Sequence, residues 1–185
     1  MGPYLLPRVV ERLHTNYPDL RLYIRERSPR QLPTELIEGA HDLILAQLPI
    51  HGADLEVYPL FHEPLLLTVP CEHPLAAQPS VKPTDLKGLQ VLTLGPEFTL
   101  HDQISAICEE HGAMVVRDYE GTSLDALRQM VAMGMGVAFL PQLYVASEIG
   151  ERAPGVVALP MYRHGRKTWE PVAARFAKAG IDFLA

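Results

Sequence analysis

The chain has 185 residues, of which 48% are hydrophobic and 21% charged, and its formal net charge is −6 at pH 7. This composition is ordinary for a globular protein and can supply the core of one large or two small domains. The acidic balance argues against nucleic-acid binding by this chain alone, because phosphate contacts dominate that affinity. The sequence has no apolar run of 18 residues that would predict a membrane span, and its start lacks the apolar core of a signal peptide.

Two cysteines, Cys71 and Cys108, are too few for a disulfide scaffold and suit a reducing cytoplasm. Together with His73 and His111 they could form a zinc site only if the fold brought all four together, and their spacing matches no standard ligand pattern. We therefore expect small buried cysteines and no resident metal or cofactor.

The first third of the chain predicts two helices and three strands. An apolar helical face with an early proline predicts a helix over residues 3–17. Alternation of apolar and polar residues predicts a strand over 20–26. A serine–proline helix start followed by a glycine predicts a second helix over about 32–38. Short apolar runs predict further strands over 42–47 and 55–60.

From residue 63 onwards, strands and helices alternate. The continuous apolar run within 63–69 predicts a strand in the interior of a sheet, and the proline-rich stretch 71–83 predicts an irregular crossing. The predicted strands are 91–94, 115–119, 137–140, 156–159 and 167–174, and the predicted helices are 99–111, 124–133, 143–149 and the last ten residues. This alternation predicts a mixed α/β fold with largely parallel sheets.

Three predicted helix starts carry small hydroxyl residues, and two interpretations of them stay open. Ser28, Thr99 and the pair Thr122–Ser123 could simply cap their helices. Alternatively, the three helix starts converge on one cleft, where free N–H groups and positive dipole ends would hold an anion or a polar ligand.

No arrangement of residues predicts an enzyme. Ser105 and Ser123 do not lie in a nucleophile elbow. His101 and Asp102 are adjacent, and adjacent residues do not face each other on a helix.

Several stretches resemble the effector-binding domain of LysR-type transcriptional regulators. The segment GPYLLPRVVERLHTNYPDLRLYIRE (2–26) resembles the start of that domain, and TSLDALRQMVAMGMGVAFLP (122–141) is a similarly close match. Further matches are ELIEGAHDLILA (35–46), EPLLLTVPCEHPLA (63–76) and DLKGLQVLTL (85–94). Together they follow the family's order along nearly the whole chain.

The resemblance implies an α/β fold of two Rossmann-like lobes of periplasmic-binding-protein type, joined by two crossover strands. Residues 1–66 and 168–185 would form the first lobe, and residues 67–167 the second. A small polar or anionic effector would lie between the lobes. The implied contacts are Ser28, Pro29, Thr99, Leu100, Thr122, Ser123, Gly134 and Val137.

The resemblance also implies partners and a cellular location. Family members form homodimers or tetramers in which the first helix packs on a second-lobe helix of the partner. They bind DNA through an N-terminal winged helix-turn-helix that is absent from this chain. A cytoplasmic protein with no membrane contact and no cofactor is expected.

Within the family, the segment HDQISAICEEHGA (101–113) resembles the region that holds two redox cysteines in the peroxide-sensing branch. Cys108 matches the second, resolving cysteine, whereas Thr99 stands where the peroxide-reacting cysteine would be. Phe98 replaces a histidine and Pro29 a threonine of that site. Threonine cannot supply the reactive thiolate that peroxide chemistry needs, so we expect effector sensing and not a two-cysteine switch.

Three alternatives remain. Thr99 could be an engineered replacement that freezes a reduced peroxide sensor. Cys108 could act alone through a mixed or intermolecular disulfide. The chain could also be a free-standing solute-binding protein of the same two-lobe architecture.

Overall fold

A computed structural model describes residues 2–50, 52, 54–149 and 155–161 of the chain. The helices are α1 (Gly2–Asn16), α2 (Leu32–Ile37), α3 (Thr99–His111), α4 (Leu124–Ala132) and α5 (Gln142–Glu148). The strands are β1 (Leu65–Pro70), β2 (Gln90–Leu92), β3 (Met114–Val115), β4 (Val137–Pro141) and β5 (Val156–Pro160). Two 3-10 turns, Pro74–Ala77 and Pro83–Leu86, lie between β1 and β2. None of the helices in these ranges is long and apolar enough to span a membrane.

The five strands form one sheet in the order β3-β2-β4-β1-β5. β2 is parallel to β3 and to β4, whereas β1 is antiparallel to both β4 and β5. β1 is an interior strand, as its continuous apolar run predicts. The prediction of largely parallel sheets is wrong for this sheet, because β1 is antiparallel to both of its neighbours. The alternation of strands and helices along the sequence does not determine the direction of each strand within the sheet.

The core lies between this sheet and helices α3, α4 and α5. Its largest fully buried side chains include Leu67, Leu92, Leu127, Phe139 and Tyr144. Helix α3 contributes Leu100, Ile104 and Cys108, whose spacing of four residues places them on one face of the helix. The apolar face of α3 therefore packs on the sheet and leaves its opposite face to solvent.

Several helix boundaries predicted from the sequence are confirmed. Helix α3 begins at Thr99 and ends at Gly112, whose φ of 72° is left-handed and closes the helix. Helix α4 begins directly after Ser123, and α2 begins at Leu32 after the Ser28–Pro29 turn.

The three strands predicted before residue 61 are not found. Residues 20–26, 42–47 and 55–60 have no ladder partner among the described residues. Their apolar side chains are largely exposed, for example Tyr23 at 82% and Leu43 at 74%. Period-two alternation predicts an extended backbone, but a strand exists only where a second segment accepts its hydrogen bonds. The predicted strand 167–174 and the final helix lie outside the described residues, and the lobe boundaries stay a prediction.

Helix α1 contacts helix α5 of its own chain. The rings of Tyr4 and Tyr144 meet edge to face with centroids 5.8 Å apart, and Leu5 is only 5% exposed. The expected packing of the first helix on a partner's second lobe remains a prediction.

Candidate functional site

The starts of α3 and α4 lie side by side at the carboxyl end of β2. After β2 the chain continues through Leu94, which forms an isolated parallel bridge with Gly121. The Gly121 N–H donates to the Thr93 carbonyl at 3.2 Å, and the Gly95 N–H donates to the Gly121 carbonyl at 2.9 Å. Because these segments lead directly into α3 and α4, the two helix N-termini share one edge of the sheet. This is the edge where α/β folds usually place ligands.

Arg30 brings the Ser28–Pro29 turn to the same edge. Its guanidinium donates to the Pro96 carbonyl at 2.8 Å and lies 3.4 Å from the Asp102 carboxylate in the first turn of α3. The turn itself is held by a 2.9 Å bond from the Gln31 N–H to the Ser28 carbonyl. Contacts of Arg30 across more than sixty residues of sequence therefore connect the turn that contains Ser28 and Pro29 to the start of α3.

The hydroxyl residues at the helix starts do not share one role. The Ser123 Oγ accepts a 3.2 Å bond from the Ala126 N–H and caps α4, as predicted. Thr99 is the first residue of α3 and not its cap; the capping position belongs to Phe98 and carries no side-chain cap bond. Ser28 does not cap α2 either, because Gln31 occupies that position. Helix capping therefore leaves the hydroxyls of Ser28 and Thr99 available to a ligand.

Five of the eight predicted contacts lie in the three segments that these bonds connect, and we call them the edge cluster: Ser28, Pro29, Thr99, Thr122 and Ser123. The Leu100 side chain lies beside them but is only 4% exposed and belongs to the core. Gly134 and Val137 precede or begin β4 and therefore lie at the opposite, amino end of the sheet. Val137 is 3% exposed and also packs in the core. A shared contact of Gly134 and Val137 with a ligand at Thr99 is not supported, because β2 and β4 are parallel and these two residues precede or begin β4. Leu100 adjoins Thr99, but its side chain packs in the core.

The redox candidate Cys108 is buried in the core with 2% exposure, and burial raises the pKa of its thiol to about 11. The prediction that both cysteines are buried is wrong for Cys71, which is an exposed free thiol. Thr99 and Cys108 are nine residues apart in a continuous helix, which separates them by roughly 13.5 Å along its axis. Attack by a Cys108 thiolate on a peroxide would require this side chain to become exposed, and a contact between Cys108 and position 99 would require α3 to unwind.

Two groups of functional interest were not predicted from the sequence. The first is Arg30, which the charge pattern could have indicated, since it follows Ser28–Pro29 and finds an acidic partner in Asp102. The second is the Tyr144 hydroxyl, which donates to the Asp125 carboxylate at 2.8 Å and accepts from the Arg128 guanidinium at 3.1 Å. Burial raises the pKa of Tyr144, and the bond to Asp125 raises it further. Asp125 thus connects α4 to α5.

Metal binding finds no support in the part of the chain that the structure describes. No group of three or more His, Cys, Asp and Glu side chains there could hold an ion. His111 instead lies 3.7 Å from Glu110, and the Nδ1 of His73 accepts a bond from the Leu75 N–H.

Comparison with known proteins gives consistent matches along the chain. The model of the LysR substrate binding domain matches residues 1–181. The DNA-binding transcriptional dual regulator OxyR of Escherichia coli K12 is 41% identical over 161 residues, which cover 86% of this chain and 52% of that protein. The chain therefore spans about half the length of the curated relatives it matches.

Solved structures of regulatory domains agree in fold as well as in sequence. A crystal structure of reduced OxyR is 32% identical with a TM-score of 0.76, covering 97% of this chain and 88% of that one. The reduced OxyR regulatory domain of Pseudomonas aeruginosa is 33% identical with a TM-score of 0.74, covering 89% and 78%. The α/β fold is thus that of the two-lobe regulatory domains of periplasmic-binding-protein type. This chain belongs to the LysR substrate-binding domain family, and it is related to the OxyR regulatory domains within that family.

Proposed function

We propose that this chain is the sensing domain of an OxyR-like LysR-type transcriptional regulator that binds a small polar or anionic effector at the edge cluster. DNA binding would reside in a winged helix-turn-helix outside this chain, and the regulator would act in the cytoplasm as a homodimer or tetramer. The domain would serve as a sensor and not as an enzyme.

The observation that carries this proposal is the bridge from Arg30 to the start of α3. The Arg30 guanidinium lies against Pro96 and Asp102 at 2.8 and 3.4 Å. It therefore places a positive charge at the N-terminus of a 13-residue helix, whose dipole also favours an anion. Ser28 and Thr99 belong to the two segments that this bridge joins, and neither hydroxyl caps a helix.

Competition for Arg30 gives the effector a way to act. An anion that binds Arg30 would replace Asp102 as its partner, and the Arg30–Asp102 pair is exposed and therefore weak. The loop before α2 would then be held to α3 through the effector. Binding shifts the population of DNA-bound states by no more than the effector's differential affinity for the two arrangements.

Burial argues against thiol sensing through Cys108. With its pKa raised to about 11 and its side chain in the core, Cys108 carries little of the thiolate that reacts with peroxide. Position 99 holds threonine, which cannot replace that thiolate.

A ligand titration followed by thermal unfolding tests the proposal. Small carboxylates, phosphate and sulfate should be titrated into the wild type, Arg30→Gln and Thr99→Val. We expect at least one anion to raise the Tm of the wild type. We expect Arg30→Gln to lower the affinity about tenfold, because a charge-assisted hydrogen bond is lost.

Two control variants distinguish a loss of anion binding at the edge cluster from the general effect of removing an arginine or a hydroxyl elsewhere. Arg21→Gln removes an exposed arginine of the preceding segment, and Thr84→Val removes a hydroxyl from the turn near the other end of α3. Both should keep the wild-type response. The proposal fails if no anion raises the Tm, or if Arg21→Gln weakens binding as much as Arg30→Gln does.

A further inference from the structure

A group of side chains around Tyr144 connects three helices. Tyr144 is 1% exposed, and its hydroxyl lies 2.8 Å from the Asp125 carboxylate and 3.1 Å from the Arg128 guanidinium, both on α4. Its ring meets the ring of Tyr4 on α1 edge to face, with centroids 5.8 Å apart. We call these four residues the Tyr144 network: Tyr4, Asp125, Arg128 and Tyr144. One buried side chain of α5 therefore contacts both α4 and α1.

The charged residues of α4 fix the direction of the Tyr144 hydroxyl. Asp125 and Arg128 are three residues apart and therefore lie on the same face of α4. Because a carboxylate only accepts and a guanidinium only donates, the hydroxyl donates to Asp125 and accepts from Arg128. Hydrogen bonds with a charged partner are stronger than those between neutral groups. The start of α4 therefore holds the Tyr144 ring in one orientation.

Helix α5 is itself held beside the sheet. The Leu143 N–H donates to the Glu63 carboxylate at 3.0 Å, and the Gln142 N–H donates to the Pro64 carbonyl at 2.9 Å. Glu63 and Pro64 directly precede β1, which is an interior strand. These two bonds fix the start of α5 relative to the sheet, so the Tyr144 ring offers α1 a well-anchored surface.

Helix α1 joins the core of the sheet through Tyr4. The Tyr4 side chain packs against that core, whereas Val9 and Val10 further along α1 lie outside it. Burial raises the pKa of the Tyr4 phenol, and the carboxylates of Glu148 and Asp125 raise it further, so the ring stays neutral at physiological pH. The aromatic contact is therefore a point at which the position of α1 depends on the rest of the fold.

We propose that Tyr144 is a positioning residue that couples the start of α4 to the position of α1. Its hydroxyl follows the charged pair on α4, and its ring contacts Tyr4. Asp125 lies in the first turn of α4, two residues after the capping Ser123 of the edge cluster. A shift of the α4 start caused by an effector would therefore reach α1 through this side chain. That last step rests on the proposed function, whereas the coupling between the helices does not.

Amide hydrogen exchange of the whole chain without ligand tests the coupling. Tyr144→Phe removes the hydroxyl and keeps the ring. We expect exchange of the α1 amides to become about tenfold faster relative to that of the β1 amides, because hydrogen bonds to two charged groups are lost. Tyr119→Phe removes a half-buried phenol hydroxyl outside the network and should leave exchange in α1 unchanged.

A double-mutant cycle distinguishes coupling from a general loss of stability. Tyr4→Leu removes the aromatic contact and should itself speed up exchange in α1, whereas Tyr4→Phe keeps the ring and should not. In the Tyr4→Leu background, Tyr144→Phe should have no further effect on α1, because the ring no longer has its aromatic partner. The inference is overturned if the two effects multiply, if Tyr144→Phe leaves exchange in α1 unchanged, or if it speeds up exchange in α1 and β1 equally.

Anion titrations then test the connection to the edge cluster. An anion that raises the Tm of the wild type should slow exchange of the α1 amides about fivefold, and Tyr144→Phe should abolish this slowing. An anion that binds with the expected dependence on Arg30 but leaves α1 unchanged overturns the connection. If no anion binds, the proposed function fails, and the ligand-free cycle still decides whether the helices are coupled.

Discussion

The two ends of the five-stranded sheet differ in what determines their structure. At the carboxyl end of β2, exposed and half-buried polar residues of three distant segments meet through single hydrogen bonds. At the amino end, the turn before β4 approaches the start of β2 so closely that a Cβ on Gly136 would lie 2.8 Å from the Gln90 carbonyl oxygen. At the amino end this close approach at Gly136 fixes the main chain of the turn, whereas the carboxyl end leaves polar groups for a ligand.

This difference explains why the predicted effector contacts lie at two separate ends of the sheet. Val137 is buried at the amino end of β4 and Gly134 lies exposed in the turn before it, while Thr99 and Thr122 belong to the polar end. At roughly 3.3 Å per residue, the length of β4 alone separates the two ends by more than 13 Å. A small effector cannot contact both ends.

The largest expected effect comes from Gly136→Ala. The new Cβ would collide with the main chain at Gln90, and the φ of 158° does not suit a side chain. We expect the free energy of unfolding to fall by about 2–3 kcal/mol, measured by urea denaturation.

Gly134→Ala is the matched control at the same turn. Its φ of 78° is left-handed, but a Cβ there would meet nothing within 4 Å, so only the backbone strain of about 1–2 kcal/mol remains. An equal loss in both variants would show that packing does not distinguish the two glycines.

An intermediate effect is expected for the alkylation rate of the Cys108 thiol, which we compare with that of Cys71. The rise in the pKa of Cys108 from 9.0 to about 11 lowers its thiolate population about 100-fold at neutral pH, and burial slows access further. Alkylation of the native protein followed by mass spectrometry should therefore label the exposed Cys71 first. Because the thiolate of Cys108 forms only near its raised pKa, its labelling should stay slow up to about pH 9. Labelling of Cys108 at the rate of Cys71 at pH 7 would contradict the buried position and reopen thiol sensing.

The smallest expected effect is the stability change of Arg30→Gln at the carboxyl end. The Arg30 side chain is 61% exposed and its Asp102 partner 63%, so without ligand the loss should stay below about 1 kcal/mol. Urea denaturation at low and high salt checks this value. A loss as large as that of Gly136→Ala would mean that Arg30 is a structural residue and not one available to a ligand.

The helices of the second half were predictable because their signals are local. Gly112 ends α3 and Ser123 caps α4 wherever the helices lie in space. The apolar spacing of Leu100, Ile104 and Cys108 already indicated which face of α3 is buried. The family resemblance, carried by motifs along nearly the whole chain, added the fold class.

The strands of the first third were not predictable in the same way. Residues 20–26 have the alternation of a strand, yet their pairing depends on segments far away in sequence. The same holds for the direction of β1, which enters the sheet antiparallel to β4. A hydrogen-bond ladder needs two segments, and the residue pattern of one segment does not identify the segment with which it pairs.

The sequence alone determined the family, the helix boundaries and the absence of a reactive cysteine at position 99, because these depend on residue identity and local periodicity. The tertiary structure decided which of the predicted contacts meet. It joined the turn before α2 to the start of α3 through the contacts of Arg30 with Pro96 and Asp102, placed Gly134 and Val137 at the other end of the sheet and buried Cys108. These outcomes depend on strand order and helix direction, which arise from contacts between residues that are distant in the sequence.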